Sequence, residues 1–193
     1  SDYGKGGLSS RALQTLRELT QKHHVPVLVD PHREGNHEDY QGFFLFKPNR
    51  VEASHLVGFS LEDRKTQLAA AAKIQSMMHS HYVLISLDKD GLLLYQDAEN
   101  HTFFPSHALE IFDVVGAGDM LISTLAFLLA GKAPLEHAVF WANLAAAMEL
   151  QHVGVVSFTR DEIMDGFELG GLRKKIVTLE ELRAQLKDVE QPL

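Results

Sequence analysis

Leu8, Ala12, Leu16 and Leu19 recur at helical spacing behind Ser9 and Ser10, either of which can cap, and predict a helix running to about Lys22. The pattern then changes. Val25–Asp30 (VPVLVD) is a continuous apolar, β-branched run closed by Asp30-Pro31, and Phe43–Lys47 (FFLFK) stops at Lys47-Pro48 in the same manner, so both read as buried strands. Leu61–His79 reads as a long amphipathic helix opened by Ser60 with Asp63 three residues on. Tyr82–Leu87 (YVLISL) is the next buried strand. Asp88-Lys89-Asp90-Gly91 followed by LLLYQ predicts a hairpin-type turn into an antiparallel neighbour, and His101–Phe104 adds a further short strand.

A glycine corner, VVGAGD, leads into an apolar helix from about Gly118 to Leu129 closed by Gly131, and Pro134 opens another reaching about Gln151. Thr159-x-x-Glu162 and Thr178-x-x-Glu181 are capping boxes on either side of the Gly166–Gly171 joint. Beyond Leu172 the chain turns charged and amphipathic, like a linker. Strands mixed with helices, the strands apolar and β-branched, predict a three-layer α/β/α domain over residues 1–171 and a linker-like tail over 172–193.

Composition narrows the chemistry. The chain has 193 residues, 45% of them hydrophobic and 23% charged, with a net charge of −8, which gives no long-range attraction for nucleic acid or an anionic membrane. A bound phosphate must be held locally. Zero cysteines remove disulfides, thiolate nucleophiles, Cys-ligated zinc and iron–sulfur clusters, and fit a reducing cytoplasm. The longest strongly apolar stretch, Met120–Ala130, is too short for a bilayer crossing of roughly 20 residues. The chain opens at Ser1 without an initiator Met, which reads as a cut.

The informative segment is Asp113-Val114-Val115-Gly116-Ala117-Gly118-Asp119. Two glycines one residue apart let the backbone turn tightly while their N–H groups converge, and the following helix adds its positive end, so an anion is favoured there. A carboxylate next to such a cradle, within reach of both a hydroxyl and a phosphoryl group, is what a phosphotransferase base requires. From the residues alone a second reading stays open: the glycines only turn the chain and Asp119 caps a helix. No G-x-x-x-x-G-K-[ST] occurs, which excludes a P-loop, and no third glycine follows at the dinucleotide spacing.

Asp113–Asp119 with its apolar helix resembles the signature D-[TSV]-x-G-A-G-D of the ribokinase-like (PfkB-type) carbohydrate kinases. Asn49-Arg50-Val51-Glu52 matches that family's N-x-x-E motif, in family order, and Trp141–Ala147 (WANLAAA) is similar to its A-N-A-A-A stretch. Ser1–Gly6 (SDYGKG), Val25–Pro31, Lys47–Glu52 (KPNRVE) and Lys175–Leu182 (KIVTLEEL) look most like the heptose 7-phosphate kinase branch, the kinase half of bifunctional ADP-heptose synthesis proteins.

The resemblance implies an ATP- and Mg²⁺-dependent transfer to a sugar phosphate, most closely heptose 7-phosphate at C1, in a ribokinase-like fold lacking its N-terminal strands and lid. A sheet edge so exposed predicts association with a second copy or a covering segment. By the same resemblance Asp119 is the general base, and the backbone of Gly116, Ala117 and Gly118 stabilises the transferring phosphoryl group. Ser86, Asp88 and Gly91 lie along the nucleotide phosphates and Asn143 near the adenine. Asn49 and Glu52 act on Mg²⁺ through water, and Asp113 belongs to a site for a monovalent cation such as K⁺. Two departures stand out: Asp88 occupies a position where many members carry Gly, adding a carboxylate on the phosphate path, and Met120 stands where Thr or Ser is frequent.

Other signals read as structural. The pairs His23-His24, His79 with His81, and His32 with His37 lie in polar helix ends and loops rather than at zinc spacing. His32, at a strand's carboxyl end, is open to a phosphate contact. Lys5 reads as a loop lysine, Phe43, Phe44 and Phe46 as sheet core, and Arg173, Lys174 and Lys175 as solvated linker.

Overall fold

The computed structural model describes residues 1–32, 37–107, 116–152, 154, 156–159 and 161–163. The chain divides into two units, residues 1–155 and 156–193. In the first, the order is α1 (Ser10–His23), β1 (Leu28–Val29), a 3-10 turn (His37–Tyr40), β2 (Leu45–Phe46), α2 (Arg50–Val57), α3 (Arg64–Met78), β3 (Tyr82–Ser86), a second 3-10 turn (Asp88–Asp90), β4 (Leu92–Tyr95), β5 (His101–Phe104), α4 (Ala117–Ala130) and α5 (Leu135–Glu149). The five strands form one sheet in the order β1-β2-β3-β4-β5. β1, β2 and β3 run parallel, and β4 and β5 return antiparallel.

Period-two alternation separates the layers. Phe46, Val83, Ile85, Leu93 and Tyr95 face one way and pack with Leu13 of α1, Ala53 and Val57 of α2, and Ala70, Ala71, Ile74 and Met78 of α3. Leu45, Leu84, Leu92 and Leu94 face the other way, onto Leu121 and Leu125 of α4 and Ala138, Val139 and Ala142 of α5. Each fully buried large apolar side chain contributes roughly 1.5–3 kcal/mol. The result is the three-layer α/β/α arrangement expected from the sequence, with Phe43 and Phe46 in the core and Phe44 packed against its edge.

Three local expectations need correction. The run from Val25 is not a buried strand throughout, because Val25 is 56% exposed and pairing as a named strand is confined to Leu28–Val29. The long helix begins at Arg64 rather than Leu61: Asp63 accepts from the Thr66 N–H at 2.8 Å and its own N–H donates to Thr66 Oγ1 at 3.0 Å, a reciprocal cap. Ser60 donates instead to Glu62 at 2.9 Å, and Leu61 is buried ahead of the helix. A separate helix, α2, precedes it, because Asn49-Arg50-Val51-Glu52 is itself a capping box.

The antiparallel hairpin at Asp88–Gly91 and both C-terminal helices lie where their patterns put them. In the second unit the Thr159 box forms: the Thr159 N–H donates to Glu162 at 2.7 Å and the Glu162 N–H to Thr159 Oγ1 at 3.3 Å. Gly166–Gly171, the Thr178 box and the tail from Leu172 lie outside the described residues. Among the described residues no helix is long and apolar enough to cross a membrane.

Candidate functional site

Parallel strands end on the same side of a sheet, and ligands in open α/β folds gather outside those carboxyl ends. Here that side holds a cavity of about 890 Å³, within the usual range for small-ligand sites. Asn49, Glu52, Ser86, Asp88, Gly91, Gly116, Ala117, Gly118, Asp119 and Asn143 all line it, so every described residue singled out from the sequence comes to one place. Asp113 lies outside the described residues.

The glycine corner supplies one wall of the cavity. Gly116 takes φ 95°, a conformation costly for any residue with a Cβ, and offers no side chain to cap the first turn of α4. α2 and α3, by contrast, are both capped by side chains. Asp119 sits in that first turn, and its carboxylate accepts two hydroxyl hydrogen bonds, from Ser1 Oγ at 2.8 Å and from Tyr3 Oη. Burial alone would raise its pKa, but the bonds from Tyr3 and Ser1, with Lys47 nearby, hold it below the ordinary carboxylate value.

Asn49 and Ser86 form a bridge between β3 and the start of α2, which sets the N-x-x-E motif against the end of β3. Asn49 Oδ1 accepts from the Glu52 N–H and Glu52 Oε2 from the Asn49 N–H, both at 2.8 Å. Glu52 Oε1 is left outside this box, as an oxygen donor suited to a hydrated hard cation. Among the described residues no three His, Cys, Asp or Glu side chains are grouped to hold a metal directly.

Gly91 is demanded by space: a Cβ there would overlap the Phe104 carbonyl and come within 2.7 Å of Pro105. Asp88 has φ 51°, the left-handed region that glycine prefers and Asp tolerates. Asn143 is buried and its amide donates to the Pro105 carbonyl at 2.8 Å, so it pins the chain leaving β5 as well as lining the cavity.

Two features were quoted from the sequence only as parts of the resemblance, with no place in the site. Lys47 is only 3% exposed and its ammonium lies 3.1 Å from Asp30 Oδ2, directly beneath Gly118, where a Cβ would sit 3.6 Å from that oxygen and 3.8 Å from Lys47 Nζ. Burial pushes the Asp30 pKa up, against the pull of Lys47. The signal available was the ending of two adjacent strand runs in Asp30-Pro31 and Lys47-Pro48. The second feature is the opening segment. The Asp2 N–H donates to the Asp30 carbonyl at 2.9 Å, and Tyr40 Oη donates to the Asp2 carboxylate at 2.6 Å. Burial and this bond push Tyr40 up to about 12, and the same bond leads those lowering Asp2. The segment is thus held at the residue that follows β1 and delivers Tyr3 to Asp119. His32 lines the cavity with its ring packed against Gly4, where a Cβ would displace it.

The sequence pattern of the pfkB family carbohydrate kinases matches residues 3–162. The chain belongs to that family. The bifunctional protein HldE of Campylobacter fetus subsp. fetus is 38% identical over 184 residues, covering 94% of this chain and 39% of that protein. HldE of Campylobacter jejuni subsp. jejuni is 35% identical over 187 residues, covering 97% and 40%. The chain spans about two-fifths of the length of these curated relatives. Among solved structures, Arabidopsis thaliana ribokinase complexed with ribose and ATP superposes with a TM-score of 0.71 at 22% identity, over 82% of this chain and 51% of that one. Escherichia coli phosphofructokinase-2 in complex with substrates and products gives 0.69 at 25% identity, over 85% and 53%. The fold is ribokinase-like.

Proposed function

We propose that this chain carries the nucleotide-binding and base-bearing part of a sugar kinase that transfers the γ-phosphoryl group of ATP to the C1 hydroxyl of heptose 7-phosphate, a step toward ADP-heptose and the lipopolysaccharide core. The observation that carries the reading is Asp119: it accepts hydrogen bonds from two hydroxyls while standing in the uncapped first turn of a glycine-cornered helix. An acceptor hydroxyl would take the place of the Ser1 or Tyr3 hydroxyl. Its oxygen then forms the new bond to γ-phosphorus as the bond to the β–γ bridging oxygen breaks, ADP leaves with the electron pair, and the proton passes to Asp119 late, so a low pKa suffices. The N–H groups of Gly116, Ala117 and Gly118 meet the charge on the transferring group, each such donor being worth about 3 kcal/mol.

Ser86 at the end of β3, with Asp88 and Gly91 in the turn after it, forms the path over which the polyphosphate runs, with Asn143 toward the adenine. Asn49 and Glu52 would hold Mg²⁺ through water, and when bound it would draw charge from the phosphate oxygens. Asp113 remains the candidate for a monovalent-cation loop, residues 1–171 the kinase part and 172–193 a linker. Heptose 7-phosphate as acceptor rests on the HldE relatives and on the SDYGKG, KPNRVE and KIVTLEEL segments.

A second reading, nucleotide binding without turnover, is favoured by one fact: both Asp119 oxygens already have partners within the chain. The test is to incubate the chain with Mg-ATP and heptose 7-phosphate and follow ADP and sugar bisphosphate. We expect turnover, with Asp119→Asn lowering kcat by about 10²–10⁴-fold and leaving ATP affinity within a few-fold. ATP binding with no turnover on any sugar would establish the second reading, and absence of ATP binding would sink both.

A further inference from the structure

The antiparallel turn carries a cation that the proposed chemistry leaves unused. Arg50, the first residue of α2, has its side chain only 22% exposed and reaches across to the turn after β3. Its Nε lies 3.1 Å from Asp88 Oδ2, and Nη2 lies 2.5 Å from Asp90 Oδ2 and 2.7 Å from the Leu87 carbonyl. Nη1 donates to the Leu61 carbonyl. One planar fork therefore ties the start of α2, the segment before α3 and both carboxylates of the turn together, a geometry a lysine could not reproduce.

Two consequences follow for a polyanion entering the cavity. The turn, including the left-handed Asp88, is fixed at three points by one rigid group. Its two carboxylates are also partly neutralised where they would otherwise repel phosphate. Arg50 adjoins Asn49, so the motif expected to orient hydrated cation and the turn expected to carry phosphates move as one body.

We propose that Arg50 is a positioning residue for the nucleotide: it locks the β3–β4 turn and screens Asp88 and Asp90, so that the polyphosphate can pass over a turn that carries carboxylate where glycine would do. It touches no reacting atom. The proposal rests on the kinase reading above.

The test is direct titration of Mg-ATP into the 193-residue chain, by calorimetry, for wild type, Arg50→Ala, Arg50→Lys and the triple variant Arg50→Ala/Asp88→Gly/Asp90→Asn, with melting temperatures recorded alongside. Arg50→Ala should weaken ATP binding by roughly ten-fold, the scale of an unscreened charge near a protein surface. Arg50→Lys should recover part of that loss. The triple variant should bind ATP about three-fold or more tighter than Arg50→Ala while staying weaker than wild type, because the repelling carboxylates have gone with their counter-charge but the fork to the Leu61 and Leu87 carbonyls stays lost. Where turnover is measured, the effect should fall on KM for ATP and leave kcat nearly unchanged. A triple variant as weak as Arg50→Ala overturns the screening role, as does an Arg50→Ala chain that binds ATP like wild type. A wild-type chain that binds no ATP fails the kinase reading itself and takes this proposal with it.

Discussion

Two sets of opposite charges stand at the same end of the sheet, and they differ because the strands beneath them do. β1 and β2 are parallel, so both deliver their carboxyl ends to the cavity, and the residues that follow them, Asp30 and Lys47, meet under the glycine corner as a pair in which Lys47 is sealed, at 4% side-chain exposure, and Asp30 half-buried. β3 and β4 are antiparallel, so a turn occupies that end, and Asp88 and Asp90 project from it at 70% and 45% exposure, with Arg50 brought from α2 to meet them. Strand direction decides which charges are sealed and which stay wet. A sealed pair is costly to break but weak evidence of net stabilisation, whereas exposed pairs contribute about 0–1 kcal/mol each.

Breaking each pair should expose the difference. Lys47→Met leaves the half-buried Asp30 without its partner and should cost about 2–4 kcal/mol at neutral pH, read as a fall in the urea midpoint. The double variant Asp30→Asn/Lys47→Met should regain much of that, since no uncompensated charge remains. Arg50→Ala should cost only about 1–2 kcal/mol, mostly from the lost bonds to the Leu61 and Leu87 carbonyls. Equal losses at Lys47 and Arg50 would refute the contrast between sealed and wet.

The contrast sharpens with pH, because two carboxylates flanking Gly118 are shifted oppositely. Asp119 titrates below its ordinary value, so its contribution to stability is present above that value and lost as pH falls through the lowered one. Asp30 titrates above its ordinary value, so the folded chain holds that proton more tightly, and its contribution is present below the ordinary value and lost as pH rises through the raised one. Urea midpoints followed over about pH 3 to 6 should therefore lose their acid-side fall in part with Asp119→Asn, while Asp30→Asn should remove a decline on the other side. Identical pH profiles for the two variants would contradict the opposite shifts.

How much of this was legible in the sequence depended on whether a signal was local. The strands of the first unit, the hairpin at Asp88–Gly91 and the helices after Gly116 and Pro134 were legible, because turn chemistry and apolar runs are carried by neighbouring residues. α2 was not, since Asn49 and Glu52 were read as ligands for a cation and the same spacing that suits that task is also a capping box. The start of α3 was misplaced for a related reason: Ser60 and Asp63 are both good caps, and only the burial of Leu61 between them decides. The candidate site was legible as a residue set through its three motifs and, for Ser86, Asp88 and Gly91, through the resemblance they carry. Lys47 was hidden, because nothing in a single strand run says that its last residue meets the last residue of another, and the hydroxyls on Asp119 come from more than a hundred residues away.

The smallest predicted effect on stability separates two glycines that look alike in the sequence. At Gly91 a side chain has no room and φ is 90°, so that glycine serves the fold. At Gly118 a Cβ would make only ordinary contacts with Asp30 and Lys47, within a helix and without a positive φ, so the fold does not require glycine there. Gly118→Ala should accordingly leave stability unchanged or raise it by about 0.5–1 kcal/mol, the usual helix preference for alanine. If the backbone of this corner receives the transferring phosphoryl group, the added methyl stands in its approach, and turnover should drop at least about ten-fold while the melting temperature holds or rises. A variant that is both as stable and as active as wild type would show that Gly118, like Gly91, answers to something other than a ligand, and would move the expected phosphate away from the first turn of α4.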